Sequence, residues 1–303
     1  MLEAGLIISR FLHFAAATAL FGASLYPLYT FQEARAEPQP TQLSRWLAST
    51  LAVAAFATLI SSLLWLAFVT ANMNDALSAA VDPAALTSVI HNTGFGTLWT
   101  VRLALNALIV LIAVAQLFFA KGRQQGLLLP LLTAALLASL AGTGHTQTAE
   151  HIGRYVHTAS DAAHLLAAGA WLGGLLALAF TLKQTSTDAE AVLRRFSGMG
   201  YAAVAVLVGT GLVNSWFLVG SIYALFTTPY GQLLLVKLLF VAGMLGFAAL
   251  NRFWLVPSLT RNAERHDVAL AQLRRHVMGE QALGILVLVI VSLIGTMQPA
   301  TAV

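Results

Sequence analysis

The chain has 303 residues, 58% of them hydrophobic and 9% charged, with a mean hydropathy of +0.80 and a formal net charge of +4. A soluble domain carries roughly 25% charged residues, so this composition excludes a water-soluble module and marks an integral membrane protein. The absence of cysteine removes disulfides and thiolate metal ligands.

A helix needs about 20 mostly apolar residues to cross the hydrocarbon core. In chain order, eight segments meet that need: Ala4–Phe31, Leu43–Ala71, Thr97–Ala120, Leu127–Gly144, Tyr155–Leu182, Val192–Gly220, Gly231–Val256 and Val277–Met297. Each is apolar around its whole circumference, unlike the alternating pattern of an outer-membrane strand. The expected fold is therefore all-α: a polytopic membrane protein of eight transmembrane helices, forming one domain over residues 1–303. The longest gap, from Asn72 to Gly96, is too short for a soluble domain. The first segment lacks the basic flank and cleavage site of a removable signal, so it is expected to remain as the first helix.

Eight spans leave seven loops, and the basic residues prefer every second one. Twelve of the sixteen Lys and Arg residues, among them Arg35, Lys121, Arg195, Arg252 and Arg275, lie in the odd loops or their helix ends, whereas the even loops hold only Arg154. The positive-inside rule assigns the odd loops to the cytoplasm and both termini to the outer side. It also accounts for the pI of about 9.7 without nucleic acid as a partner.

That orientation puts most of the histidines outside. His145, His151 and His157 lie in or beside the fourth loop, with His164 about two turns into the fifth helix, while His13 in the first helix reaches a comparable depth. His157, Asp161 and His164 are spaced i, i+4 and i+7, which places them on one stripe of a helix. Neutral imidazole and carboxylate are good ligands for a divalent first-row metal, and copper binds such donors most tightly. One helix cannot close a site, so His145 and His13 are the further candidate ligands. Asp161 is either a direct ligand or the acceptor that orients a histidine through its other ring nitrogen. A b-type haem, ligated by two histidines on facing helices, is the alternative cofactor; the same side chains as half-solvated interfacial residues are the plainer possibility.

Other polar residues lie inside the spans. Arg10 and Lys237 are expected to snorkel to the interface, and Arg252 and Glu280, at similar depth on consecutive helices, to form an ion pair. Gly169, Gly173 and Gly174 give the fifth helix a small face for close packing.

Several phrases together carry a family resemblance: GH…H…D..HLLAAGAWLGGLLAL from Gly144, RFS at Arg195–Ser197, TGLVNSW at Thr210–Trp216, YGQLLLVKLLF at Tyr230–Phe240, NRFWLVPSL at Asn251–Leu259, and GFGTLWTVR at Gly94–Arg102. The chain resembles the copper-resistance protein D family. That resemblance implies a non-enzymatic protein of copper homeostasis in the bacterial inner membrane, with a copper ion as its metal. Copper would arrive from a separate periplasmic carrier of the copper-resistance protein C type and move toward the cytoplasm. The family's histidines carry over to His13, His145, His157 and His164, with Asp161 beside them. A non-transporting sensory subunit is a further reading of the same chain.

Overall fold

The computed structural model describes residues 1–30, 41–119, 126–143, 151–184, 189–261 and 266–302. Every regular element among them is a helix: α1 (Leu2–Thr30), α2 (Thr41–Met73), α3 (Pro83–Asn92), α4 (Gly94–Phe119), α5 (Leu128–Ala138), α6 (His151–Ala168), α7 (Gly174–Gln184), α8 (Ala189–Leu218), α9 (Ile222–Thr227), α10 (Pro229–Leu250), α11 (Val256–Arg261) and α12 (His266–Ile294). A π turn, Gly169–Gly173, joins α6 to α7, and a second, Asn251–Leu255, joins α10 to α11. Each joined pair thus makes one continuous span.

Among the described residues seven helices are long and apolar enough to cross a membrane, and a shorter apolar one, Leu128–Gly142, supplies the eighth expected segment. The chain is an all-α, multi-pass membrane protein. The gap from Asn72 to Gly96 holds a helix of its own, α3. Asp82 caps it by accepting a hydrogen bond from the Ala84 N–H at 3.1 Å, with Pro83 at its first position; both are standard helix-start chemistry. The short α9 is likewise capped, by Ser221 onto the Ala224 N–H at 3.1 Å, just after Gly220 ends α8 at φ +73°.

α1 lies at the centre, packed against α2, α5, α7 and α12. Its Gly22 meets Gly173 of the first π turn so closely that a Cβ on either would run into the other's backbone. The small face expected on the fifth span is used at this seam. Beyond it, α8 packs on α6 and α10 on α12. Large apolar side chains on the outer faces, such as Val53 and Ile60 of α2 and Val208 and Leu212 of α8, are exposed, as suits a surface that meets lipid.

Candidate metal site and its neighbouring networks

The α6 stripe faces α8 as a ladder. The His157 ring, 3% exposed, stacks flat on Phe217 at 4.7 Å between centroids and 7° between planes. One turn on, Asp161 accepts a hydrogen bond from the Asn214 amide at 3.3 Å. Another turn on, His164 Nδ1 meets the Thr210 hydroxyl at 2.9 Å, and Ser160 donates to the Thr210 carbonyl at 3.2 Å. Phe217, Asn214 and Thr210 repeat the spacing of the stripe in reverse, as two antiparallel helices require.

The hydroxyl chemistry fixes the His164 tautomer. Thr210 Oγ1 donates its one proton to the Val206 carbonyl at 2.6 Å, so it must accept from His164 Nδ1–H. The neutral ring then carries its lone pair on Nε2, which has no hydrogen-bond partner among the described residues. A hydrogen bond at one ring nitrogen that presents the other as a donor to metal is the usual support for a ligating histidine.

Lys237 of α10 acts electrostatically on both Asp161 and His164. It is half-buried, and no ion pair joins it to Asp161.

His13 belongs to a different network. It is fully buried; Nε2 lies 2.7 Å from Arg102 Nη2, and Nδ1 lies 3.1 Å from Ser61 Oγ and 3.3 Å from Ser62 Oγ. A guanidinium only donates, so Nε2 accepts and Nδ1 carries the proton. Ser61 in turn donates to the Thr58 carbonyl at 3.1 Å, and is left to accept from His13. Both ring nitrogens are therefore engaged. Arg102, 1% exposed, also donates to the Leu136 carbonyl at 2.7 Å and to Ser139, and sits 5.0 Å from the Trp99 ring. One turn along α4, Asn106 is buried with neither amide atom hydrogen-bonded among the described residues.

His157, Asp161 and His164 thus share one helix interface, and His13 is held by α2 and α4. His145 lies outside the described residues. Among the described residues no three His, Cys, Asp or Glu side chains converge closely enough to hold a metal ion.

Residues 1–155 match the family description Copper resistance protein D-like, N-terminal domain, and residues 190–294 match Copper resistance protein D. The chain is 31% identical to the Inner membrane protein YebZ of Escherichia coli (strain K12), over 97% of this chain and 98% of that one. The chain belongs to the copper resistance protein D family. It is also 31% identical to the Copper resistance protein D of Pseudomonas syringae pv. tomato, over 97% of this chain and 96% of that one. With the Copper transport protein CutJ of Bacillus subtilis (strain 168) it shares 31% identity over 72% of this chain and 40% of that protein. No solved structure matches the chain. Within the family match, His13 lies in the first segment, whereas His157, Asp161 and His164 fall between the two.

Sequence reasoning missed two arrangements. Arg102 was in view only as part of GFGTLWTVR, with nothing to pair it with His13 across 89 residues. The Arg252–Glu280 ion pair does not form; Glu280, 2% exposed, instead accepts from the Asn251 amide nitrogen at 2.7 Å. At the start of the second π turn Asn251 takes the inward place, beside a half-buried Arg252.

Proposed function

We propose that this protein is a copper-handling protein of the bacterial inner membrane, which accepts copper at a His/Asp site on the face shared by its termini and passes it toward the cytoplasm. The termini are then periplasmic, in keeping with the bias of the basic residues. The observation that carries the reading is the α6–α8 ladder, in which Thr210 holds His164 with Nε2 free while Asp161 lies a turn away. The relatives named for copper resistance and copper transport support copper as the metal. His157 and His145 complete the set, and His13 joins it only when Arg102 releases its Nε2.

Lys237 has a defined part in this reading. A cation entering beside Asp161 replaces the ammonium as the charge acting on the carboxylate, so loading copper moves Lys237 away. A periplasmic carrier of the copper-resistance protein C type is the proposed donor.

The test is elemental analysis of purified protein carrying His157→Ala with His164→Ala. Loss of bound copper is the expected result, and an unchanged stoichiometry sinks the assignment. A Soret band in the wild-type absorption spectrum would replace copper by haem on the same histidines.

A further inference from the structure

A second cluster of buried polar groups lies at the opposite end of the bundle, away from the histidine ladder. Glu280 of α12 and Asn251 of the second π turn line a cavity of about 330 Å³ whose walls are otherwise mostly apolar, among them Trp171, Phe196 and Val204. Tyr201 of α8 and Phe253 of the second π turn line it too and are exposed, so the cavity reaches toward the surface of the bundle. On the other side of Asn251, His276 lines an open pocket of about 410 Å³ with Gln272 and Arg275.

The hydrogen bonds across this wall run in one direction. A carboxylate accepts only, so the Asn251 amide nitrogen faces Glu280 Oε1, at 2.7 Å, and the amide oxygen faces His276 Nδ1, at 2.8 Å. His276 therefore carries its proton on Nδ1 and presents the Nε2 lone pair. The three side chains form a bridge from a surface imidazole to a buried carboxylate, with every donor pointing toward Glu280.

A carboxylate inside the membrane is costly without a compensating cation, and such residues mark ion and proton paths. The charged and titratable side chains that line the cavity with Glu280 are Arg252, from the π turn, and Tyr201, from α8; His276 stands one turn away on its own helix. Arg252 makes no ion pair with Glu280.

We propose that Glu280, Asn251 and His276 form a proton-exchange site, in which Glu280 takes up and releases one proton on the cavity side while Asn251 ties its charge to that of His276 at the surface. The Glu280 carboxylate gains a proton to become a neutral acid, and the reverse step returns that proton to water. When Nε2 of His276 takes a proton from the surface pocket, the resulting imidazolium polarises the Asn251 amide toward the carboxylate. Asn251 positions the two groups and carries no proton itself. In the copper reading, a proton moving outward through this site compensates a cation moving inward; that coupling rests on the proposed function, while the proton site stands without it.

The test uses full-length protein in liposomes and infrared difference spectra between acid and alkaline pH. Wild type should show a carboxylic-acid C=O band that disappears on raising the pH. The band should be lost in Glu280→Gln, retained in Asp161→Asn and shifted in midpoint by His276→Gln, a readout that a merely structural histidine would not move. Identical spectra for wild type and Glu280→Gln overturn the site, and an unmoved midpoint in His276→Gln overturns the link to the surface. For the coupling, copper is added outside vesicles holding a pH dye. Copper uptake with proton movement in wild type, and without it in Glu280→Gln, is expected; equal uptake with no proton movement in either overturns the coupling. Absence of copper uptake overturns the copper reading and leaves the infrared result standing.

Discussion

The histidine networks around His13 and around His164 are built on opposite plans. Around His13, serines supply one ring nitrogen with an acceptor and Arg102 supplies the other with a donor, inside a wall of Trp65 and Trp99. Around His164 a single threonine satisfies one nitrogen and leaves the other open. The comparison separates two meanings of a histidine inside the bundle. One holds a charged neighbour in place; the other is held so that it can take something up. The direction of each hydrogen bond tells them apart.

Three substitutions can break or sharpen that contrast. The largest effect belongs to His13→Ala, which leaves the Arg102 guanidinium without its imidazole acceptor; a lost hydrogen bond to a buried charged group costs about 1.5–3 kcal/mol, and the cavity left by the ring adds to it. Unfolding of the purified protein in detergent should show it. A variant of undiminished stability that had lost its copper would invert the comparison. Next comes Gly173→Ala at the seam between α1 and the first π turn, where the new methyl meets backbone of α1 and not a flexible side chain; overpacking of this kind costs about 1–3 kcal/mol, readable in the same assay. The smallest is Thr210→Val, which removes the acceptor that sets the His164 tautomer. Copper affinity, measured by competition with a chelator, should fall about tenfold with stability little changed. No change in affinity would show that the ladder does not orient its histidine.

The spans were legible because lipid requires long apolar helices, and that requirement is written residue by residue in composition. The stripe of His157, Asp161 and His164 was legible for a similar reason, since spacing alone fixes a helix face. Its partners were not, because nothing local says that α8 is the neighbour, although the matching spacing of Thr210, Asn214 and Phe217 carries the signal once the two helices are paired. α3 was passed over as a loop despite Asp82 and Pro83, whose capping role is local and readable. Pairing His13 with Arg102 needs the α1–α2–α4 arrangement, which is set by packing and has no signature in either segment. Asn251 was hidden for another reason: a 3.6-residue period cannot be carried across a π turn.

Those π turns make the length of two spans a functional variable. Each holds one residue more than an α-helix of the same rise would need, and one residue of α-helix corresponds to a rotation of about 100°. Deleting a single residue from Gly169–Gly173 would leave a helix still able to cross the bilayer, yet would turn the histidines by that angle relative to the α7 side chains packed in the core. The same deletion in Asn251–Leu255 would turn the Asn251 side of the helix away from Glu280. Point substitutions test what these side chains do; one-residue deletions would test the angle at which the fold presents them.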